Sequence, residues 1–228
     1  MPIHALICSI RCERGKIMNY QGSYGFFAML DRMQYINRWA LMRNSRYENI
    51  KEHSFDVAVI AHCLTILHNR FEKDKECAVL PDPYKVQAYA LFHDCTEILT
   101  GDLPTPIKYR NKEITKAYKE VESEAAASLV ELLPDDPEMR SEYLELLDPS
   151  QNTEEEKLMH RLVKAADKIA AYIKCLREES TGNAEFAAAK ESTGRMIKEM
   201  NMPEVDYFME HFVPSYGYTL DKITGRDA

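Results

Sequence analysis

The run "LFHDCTEILTGDLPTP" (residues 91–106) sets His93 and Asp94 side by side behind apolar residues, with Glu97 one helical turn on and Asp102 a few residues later. Imidazole nitrogen and carboxylate oxygen are suitable ligands for Mn, Fe, Co, Ni or Zn. A carboxylate held beside them can take or give a proton. Burying such groups without a partner is costly, so either a cation sits among them or they stay in water. A helix-end histidine beside a solvated aspartate would account for the pair alone. Two more residues extend it. His53 opens "EHSFDVAVIAHCLTILHNR" one turn before Val57, on the face made by Val57, Ile60, Leu64 and Leu67,. By itself it reads equally as a core histidine or a cap. Asp167 lies in mid-helix in "LVKAADKIAAYIKC", where an aspartate has poor helix propensity and a poor claim to burial. An ion pair with Lys164 or Lys168 is its alternative explanation.

These residues need helices to hold them. Phe26, Phe27, Leu30, Met33 and Tyr35 or Ile36 recur at helical spacing, predicting a helix that ends near Asn37,. "RWALMRNSRYENIKEHS" is a loop into the second helix, and Pro81 and Pro83 break the chain before the third, "YKVQAYALFHDCTEIL", which stops at Gly101,. Glu97 then falls four residues after His93 and three after Asp94, on the same side of that helix. Further helical patterns occupy 112–133, 137–147, 153–180, 183–200 and 203–212, the last started by Pro203,. The tail "SYGYTLDKITGRDA" is polar and reads as frayed. No segment alternates as a strand would. The reading is all-α, with about eight helices around one core.

Composition narrows the function. The 228 residues suit one large domain,, here 23–228, behind a leader at 1–22. Met18 is an equally good start, which would make residues 1–17 an artefact or a tag. No apolar run approaches the ~18 residues that span a bilayer. The basic residues near the start follow the short apolar patch, the wrong order for a secretory signal. The six cysteines are scattered without metal-finger spacing,, as in a reducing cytoplasm. Net charge is −8, which argues against binding along a polymeric nucleic acid. A small phosphorylated substrate stays possible, because a metal and one arginine reverse the potential locally.

The order His53, His93-Asp94, Asp167 resembles the H…HD…D pattern of the HD-domain superfamily of metal-dependent phosphohydrolases. The blocks "INRWALMRN", "ENIKEHSFDVAVIAH", "LFHDCTEILTGDLPTPIKY", "KAADKIAAYIKCLREE" and "DYFMEHFVPSY" look like consecutive stretches of the HD-domain 5′-deoxynucleotidases, from about residue 24 to 222. Ala40 stands where proline is expected after the tryptophan, and Cys95 where a small residue such as alanine is usual. The resemblance implies an HD-domain helical bundle. It implies one divalent metal (Co, Mn, Zn, Ni or similar) on His53, His93, Asp94 and Asp167. It makes Arg38 the phosphate-orienting residue, with Trp39, Asp94 and the segment Asp102, Leu103, Pro104 and Thr105 against the substrate. Glu97 and Asp102 join Arg38 in the chemistry, and the protein is a homodimer.

Residue chemistry agrees with these roles. The arginine fork suits phosphate oxygens, although Arg38 alone reads equally as a salt-bridge partner. Trp39 alone could be a core anchor, Glu97 a solvated helix-end carboxylate and Asp102 a cap. The function that follows is hydrolysis of deoxyribonucleoside 5′-monophosphates. Two alternatives stand beside it. One is an HD phosphohydrolase acting on a di- or triphosphate or a cyclic nucleotide. The other is a metal-stabilised helical binding module, against which Glu97 and Asp102 argue.

Overall fold

The computed structural model describes residues 22–108 and 110–225, without the side chains of Thr105 and Pro106. The leader, apart from Gly22, and with it Met18, Cys8 and Cys12, lies outside the described residues, as do Tyr109 and residues 226–228.

The described chain is helical. Its segments are α1 (Phe26–Asp31), α2 (Ile50–Glu72), α3 (Pro83–Phe92), α4 (Glu97–Thr100), α5 (Thr105–Lys108), α6 (Lys112–Val130), α7 (Pro137–Leu147), α8 (Glu154–Ser180), α9 (Ala187–Glu199), α10 (Pro203–His211) and α11 (Leu220–Thr224). No strand forms among the described residues, only an isolated bridge between Asn37 and Asn49. Helix starts follow side-chain caps. The Asn49 side chain accepts from the Glu52 N–H, Asp82 from Tyr84, Asn111 from Ile114 and Asp136 from Glu138 and Met139,. Pro83, Pro137 and Pro203 sit in first turns, where the missing N–H is not needed,. Thr153 and Glu156 form a full capping box on α8,.

Three expectations need correction. The first helix gives way to a 3₁₀ turn at Arg32–Tyr35, because Ile36 turns extended and Asn37 pairs with Asn49. The third helix does not run to Leu99. It ends at Phe92, residues 93–96 form turns, and α4 starts afresh at Glu97. The tail does not simply fray: Thr219 caps the short helix α11.

The core consists of two clusters of buried side chains. The larger joins α2, α3 and α8 through Val57, Leu64, Ala90, Leu162, Ala166 and Ile169. The second gathers Phe26, Met33, Ile50, Cys95, Leu129 and Leu133. Each fully buried Leu, Ile or Phe contributes roughly 1.5–3 kcal/mol, so each cluster anchors the helices it joins. Ala90 belongs to the first and Cys95 to the second. His93 and Asp94 therefore lie where the chain crosses from one cluster to the other.

Candidate active site

Three elements meet at that crossing. His53, in the first turn of α2, is 1% exposed. Asp167 comes from the middle of α8. His93 and Asp94 come from the turn after α3, which is tightened by hydrogen bonds from Cys95 N–H to the Phe92 carbonyl (3.0 Å) and from Glu97 N–H to the Asp94 carbonyl (3.0 Å). These short-range bonds replace the α-helical pattern and let both side chains face α2 and α8.

His53 Nε2 is 3.1 Å from Asp167 Oδ1 and 3.7 Å from Asp94 Oδ2, and His93 Nε2 is 3.1 Å from Asp94 Oδ2. One ligand atom each from His53, His93 and Asp94 lies within 4.8 Å of the others. Asp167 stands outside that mutual trio and joins it through His53. Its other oxygen takes the Lys168 ammonium at 2.9 Å, so the ion pair offered as its alternative role exists beside the histidine contact. His93 Nδ1 meets the Ala90 carbonyl oxygen at 2.7 Å, while the buried Nε2 has no hydrogen-bond partner. A donor set of two imidazoles and two carboxylates, with the buried His93 Nε2 left without a hydrogen-bond partner, fits a divalent transition metal.

The charges interlock. Burial and then Arg38 push His53 down to about 4, against Asp167 and Asp94. Burial also opposes a charged His93, but Asp94 and Asp167 raise it above the usual range. For Asp94 burial is outweighed by His93, His53 and Arg38, and for Asp167 by His53, Lys168 and Arg38, so both carboxyls lie below the usual range.

Arg38 reaches this group from the loop before α2. Its guanidinium lies 3.4 Å from Glu48 Oε1 and 3.8 Å from Asp167 Oδ1. Burial opposes its charge, and Asp167 and Asp94 more than restore it. Trp39 takes a left-handed backbone (φ 58°), uncommon for a bulky residue. Its indole meets the Phe186 ring at 5.4 Å, and its buried Nε1 has no partner. Burial raises the pKa of the Asp102 carboxylate, opposed first by Arg38 and to a lesser degree by the neighbouring Trp39 backbone. Leu103 and Pro104 follow, half-buried. Thr105 belongs to α5, its side chain outside the described residues.

Glu97 is not on the helix of His93, so the shared-face argument fails, yet it arrives at the site. It opens α4, is 6% exposed and leaves Oε2 unpartnered. Burial, with Asp94 and Asp102, pushes its carboxyl up to about 9. The solvated alternative for Glu97 is thereby excluded.

The structure adds residues that the sequence did not single out. Glu48 is 7% exposed and lies 4.0 Å from His53 Nδ1. It sits five residues before His53 in "ENIKEH", but nothing in that spacing shows it turning inward. A cavity of about 380 Å³ opens onto His93, Asp94 and Asp167 and is walled by Lys108, Tyr118 and Lys164. Lys108 pairs with Glu122 at 2.7 Å and lies 4.5 Å from the Tyr118 ring centroid. His68, left out of the ligand set, is held by Glu204 at 3.1 Å.

Comparison with known proteins gives a consistent picture. The family model of YfbR-like 5′-deoxynucleotidases matches residues 25–216. The 5′-deoxynucleotidase of Erwinia tasmaniensis is 46% identical over 200 residues, covering 87% of this chain and 96% of that one. That of Pasteurella multocida is 45% identical over 199 residues, covering 87% and 97%. Among solved structures, an HD-domain phosphohydrolase from Listeria innocua superposes with a TM-score of 0.67 at 22% identity, over 84% of this chain and 87% of that one. The HD phosphohydrolase of cyanophage S-2L, bound to dA and one catalytic Zn²⁺ ion, superposes with a TM-score of 0.57 at 18% identity, over 82% and 96%. At these identities the two structures establish the fold.

Proposed function

This chain belongs to the YfbR-like 5′-deoxynucleotidase family, and from that premise we infer that it is a phosphomonoesterase hydrolysing deoxyribonucleoside 5′-monophosphates to deoxynucleoside and phosphate. The observation that carries the reading is the meeting of His53, His93, Asp94 and Asp167 with Arg38 on one side and Glu97 on another.

His53, His93, Asp94 and Asp167 would hold one divalent ion, in keeping with the single zinc of the cyanophage protein. When bound, such an ion supplies positive charge to phosphate oxygens and acidifies water. The protein's own groups do the rest. Arg38, already gathered against Asp167 and Glu48, presents fixed donors to the equatorial phosphate oxygens. Burial and the neighbouring carboxylates of Asp94 and Asp102 favour the protonated form of Glu97 in the metal-free chain, and Oε2, the oxygen with no other partner, is the place where a proton can pass,. Asp102, whose carboxylate feels both Arg38 and the Trp39 backbone, sets the Asp102–Thr105 segment near Trp39, where the sugar follows the phosphate. The cavity beyond His93 and Asp167 has room for the remainder of a nucleotide,.

The matched span supports a catalytic domain at 23–228. No helix among the described residues is long and apolar enough to cross a membrane, and a cytoplasmic homodimer completes the proposal. Phe55, Val59 and Ile66, exposed along α2, offer an apolar face for the second copy.

The test is phosphate release from deoxy- and ribonucleoside 5′- and 3′-monophosphates by chelated protein to which single metals are restored. Deoxyribonucleoside 5′-monophosphates should be the preferred substrates and chelation should abolish turnover. Release confined to di-, tri- or cyclic nucleotides would move the chain to another HD activity. Metal binding without any release would make it a binding module.

A further inference from the structure

We propose that the buried Lys174–Glu178 pair of α8 is a positioning device that fixes the 38–48 loop, and with it Arg38 and Trp39, at a set place over Asp167. The inference rests on the reading of Arg38 and Trp39 as substrate residues. Lys174 and Glu178 are 3% and 1% exposed, and the chemistry described above uses neither.

The loop makes no helix or strand between Ala40 and Tyr47, so its backbone groups need partners from elsewhere. It finds them on one carboxylate. Glu178 accepts from the Ser45 N–H (2.8 Å), the Ser45 hydroxyl (2.6 Å), the Arg46 N–H (3.3 Å) and the Asn183 amide (2.7 Å). Lys174 closes onto the same carboxylate and donates to the Arg46 carbonyl at 2.5 Å. Asn183 also donates to the Arg43 carbonyl at 2.8 Å. At its base the loop is shut by the Arg38 N–H on the Glu48 carbonyl (2.9 Å), with the Arg38 guanidinium 3.8 Å from Asp167.

Asp167 and Glu178 are eleven residues apart on one unbroken helix, about 16 Å along its axis. The loop is therefore gripped at its base and at its tip by the same rigid element. The spacing between the two grips is set by helix geometry and not by the loop. Trp39 is tied in from the side. The Lys174 ammonium lies 5.3 Å from the Phe186 ring centroid, and Phe186 packs on the Trp39 indole. The Asn44 amide reaches the Trp39 carbonyl at 3.1 Å. Apolar side chains could fill the same space with no loss of stability. A carboxylate with five donors instead fixes one direction of approach, which is what a loop carrying a phosphate-orienting arginine requires.

The test uses the full chain with its metal supplied, and reads two signals. One is KM and kcat for dAMP. The other is the emission of Trp39, the only tryptophan in the sequence, with acrylamide quenching. Glu178→Ala should lower kcat/KM by about 10²-fold, chiefly through KM, with metal content unchanged and Trp39 emission moved to longer wavelength. Ser45→Ala and Glu178→Gln should change both signals in the same sense but less. They carry the test if Glu178→Ala does not fold. Folded Ser45→Ala and Glu178→Gln chains with wild-type KM and wild-type emission, altered only in Tm, would overturn the proposal. Should the wild-type chain release no phosphate from any nucleotide, the assignment of Arg38 and Trp39 fails instead. The emission of the variants still decides whether the pair holds the loop.

Discussion

The Nδ1 of His93 lies 2.7 Å from the carbonyl oxygen of Ala90, one turn back in the chain. A ring nitrogen so placed carries the proton and donates it to the carbonyl. The lone pair is then on Nε2, which faces Asp94 and His53. Backbone geometry at the end of α3 thus selects the tautomer that can bind a metal.

That relationship makes the ligand assignment testable. His93→Ala and Asp167→Ala should each lose bound metal on dialysis while keeping the wild-type far-ultraviolet circular dichroism. Full metal occupancy in both variants would refute the assigned set. Binding should weaken as pH falls, since imidazole and carboxylate bind only when deprotonated. With His93 raised above its ordinary value by Asp94 and Asp167, the decline should begin on the neutral side of the usual imidazole range. Metal content measured from pH 8 down to pH 5 reads this.

Glu97 yields a prediction on rate and another on stability. Glu97→Gln keeps the shape but cannot give up a proton, so kcat for dAMP should fall by roughly 10²-fold or more with metal and nucleotide binding retained. A near-normal kcat would remove Glu97 from the chemistry. In the metal-free chain the folded carboxyl titrates at about 9 against about 4.3 when unfolded. Between those values the folded state binds more protons than the unfolded, so stability falls as pH rises. The variant lacks that loss. Its urea midpoint should gain on the chelated wild type between pH 5 and pH 9, and parallel midpoints across that range would contradict the burial argument.

Glu178 should act in the opposite sense. Burial opposes its charge, but Lys174, Ser45 and Asn183 outweigh burial and hold its carboxyl well below the usual range. Its contribution is whole above the unfolded value, about 4.3, and is lost as pH falls through the folded one. Urea midpoints of the wild type should drop on acidification below pH 5 more steeply than those of Glu178→Gln. Equal slopes would mean that the carboxylate is not paired in solution.

How far the sequence reached follows from what each residue depends on. Helical period put His53 and Asp167 on inward faces, but what joined them to His93 and Asp94 was the resemblance to the H…HD…D pattern. The break between Phe92 and Glu97 was not legible. "HDCT" contains no proline or glycine, and the turn there is imposed by Ala90 and Cys95 entering different clusters. Glu97 reached the site by a route that helical spacing did not describe. Glu48, Lys174 and Glu178 stayed hidden for another reason. Each is an ordinary charged residue in sequence and becomes buried only through partners across the loop. The short helix α11 was announced by Thr219 ahead of "LDK", a cap signal outweighed by the polarity of the tail,.

Sugar choice depends on Trp39. Arg38 would fix the phosphate, so the sugar lies a few ångströms away, beside the indole. The indole cannot swing freely. Its backbone is left-handed, its ring rests on Phe186 and its carbonyl is held by Asn44. A ring so fixed can leave room for a 2′-hydrogen and crowd a 2′-hydroxyl. Shape is the natural means here, because an apolar pocket by itself rejects an added hydroxyl poorly. Trp39→Ala should therefore narrow the ratio of kcat/KM for dAMP over AMP, whereas Arg38→Ala should lower both values together and leave the ratio standing. Loss of packing on Phe186 will reduce the overall activity of Trp39→Ala, so the ratio is the quantity to read. Trp39→Phe, which keeps a ring against Phe186, should retain more of it than alanine does. An unchanged ratio in a folded, metal-loaded Trp39→Ala chain would confine Trp39 to packing against Phe186. Selection against ribose would then fall to the Asp102–Thr105 segment, whose Asp102 carboxylate lies within the influence of the Trp39 backbone.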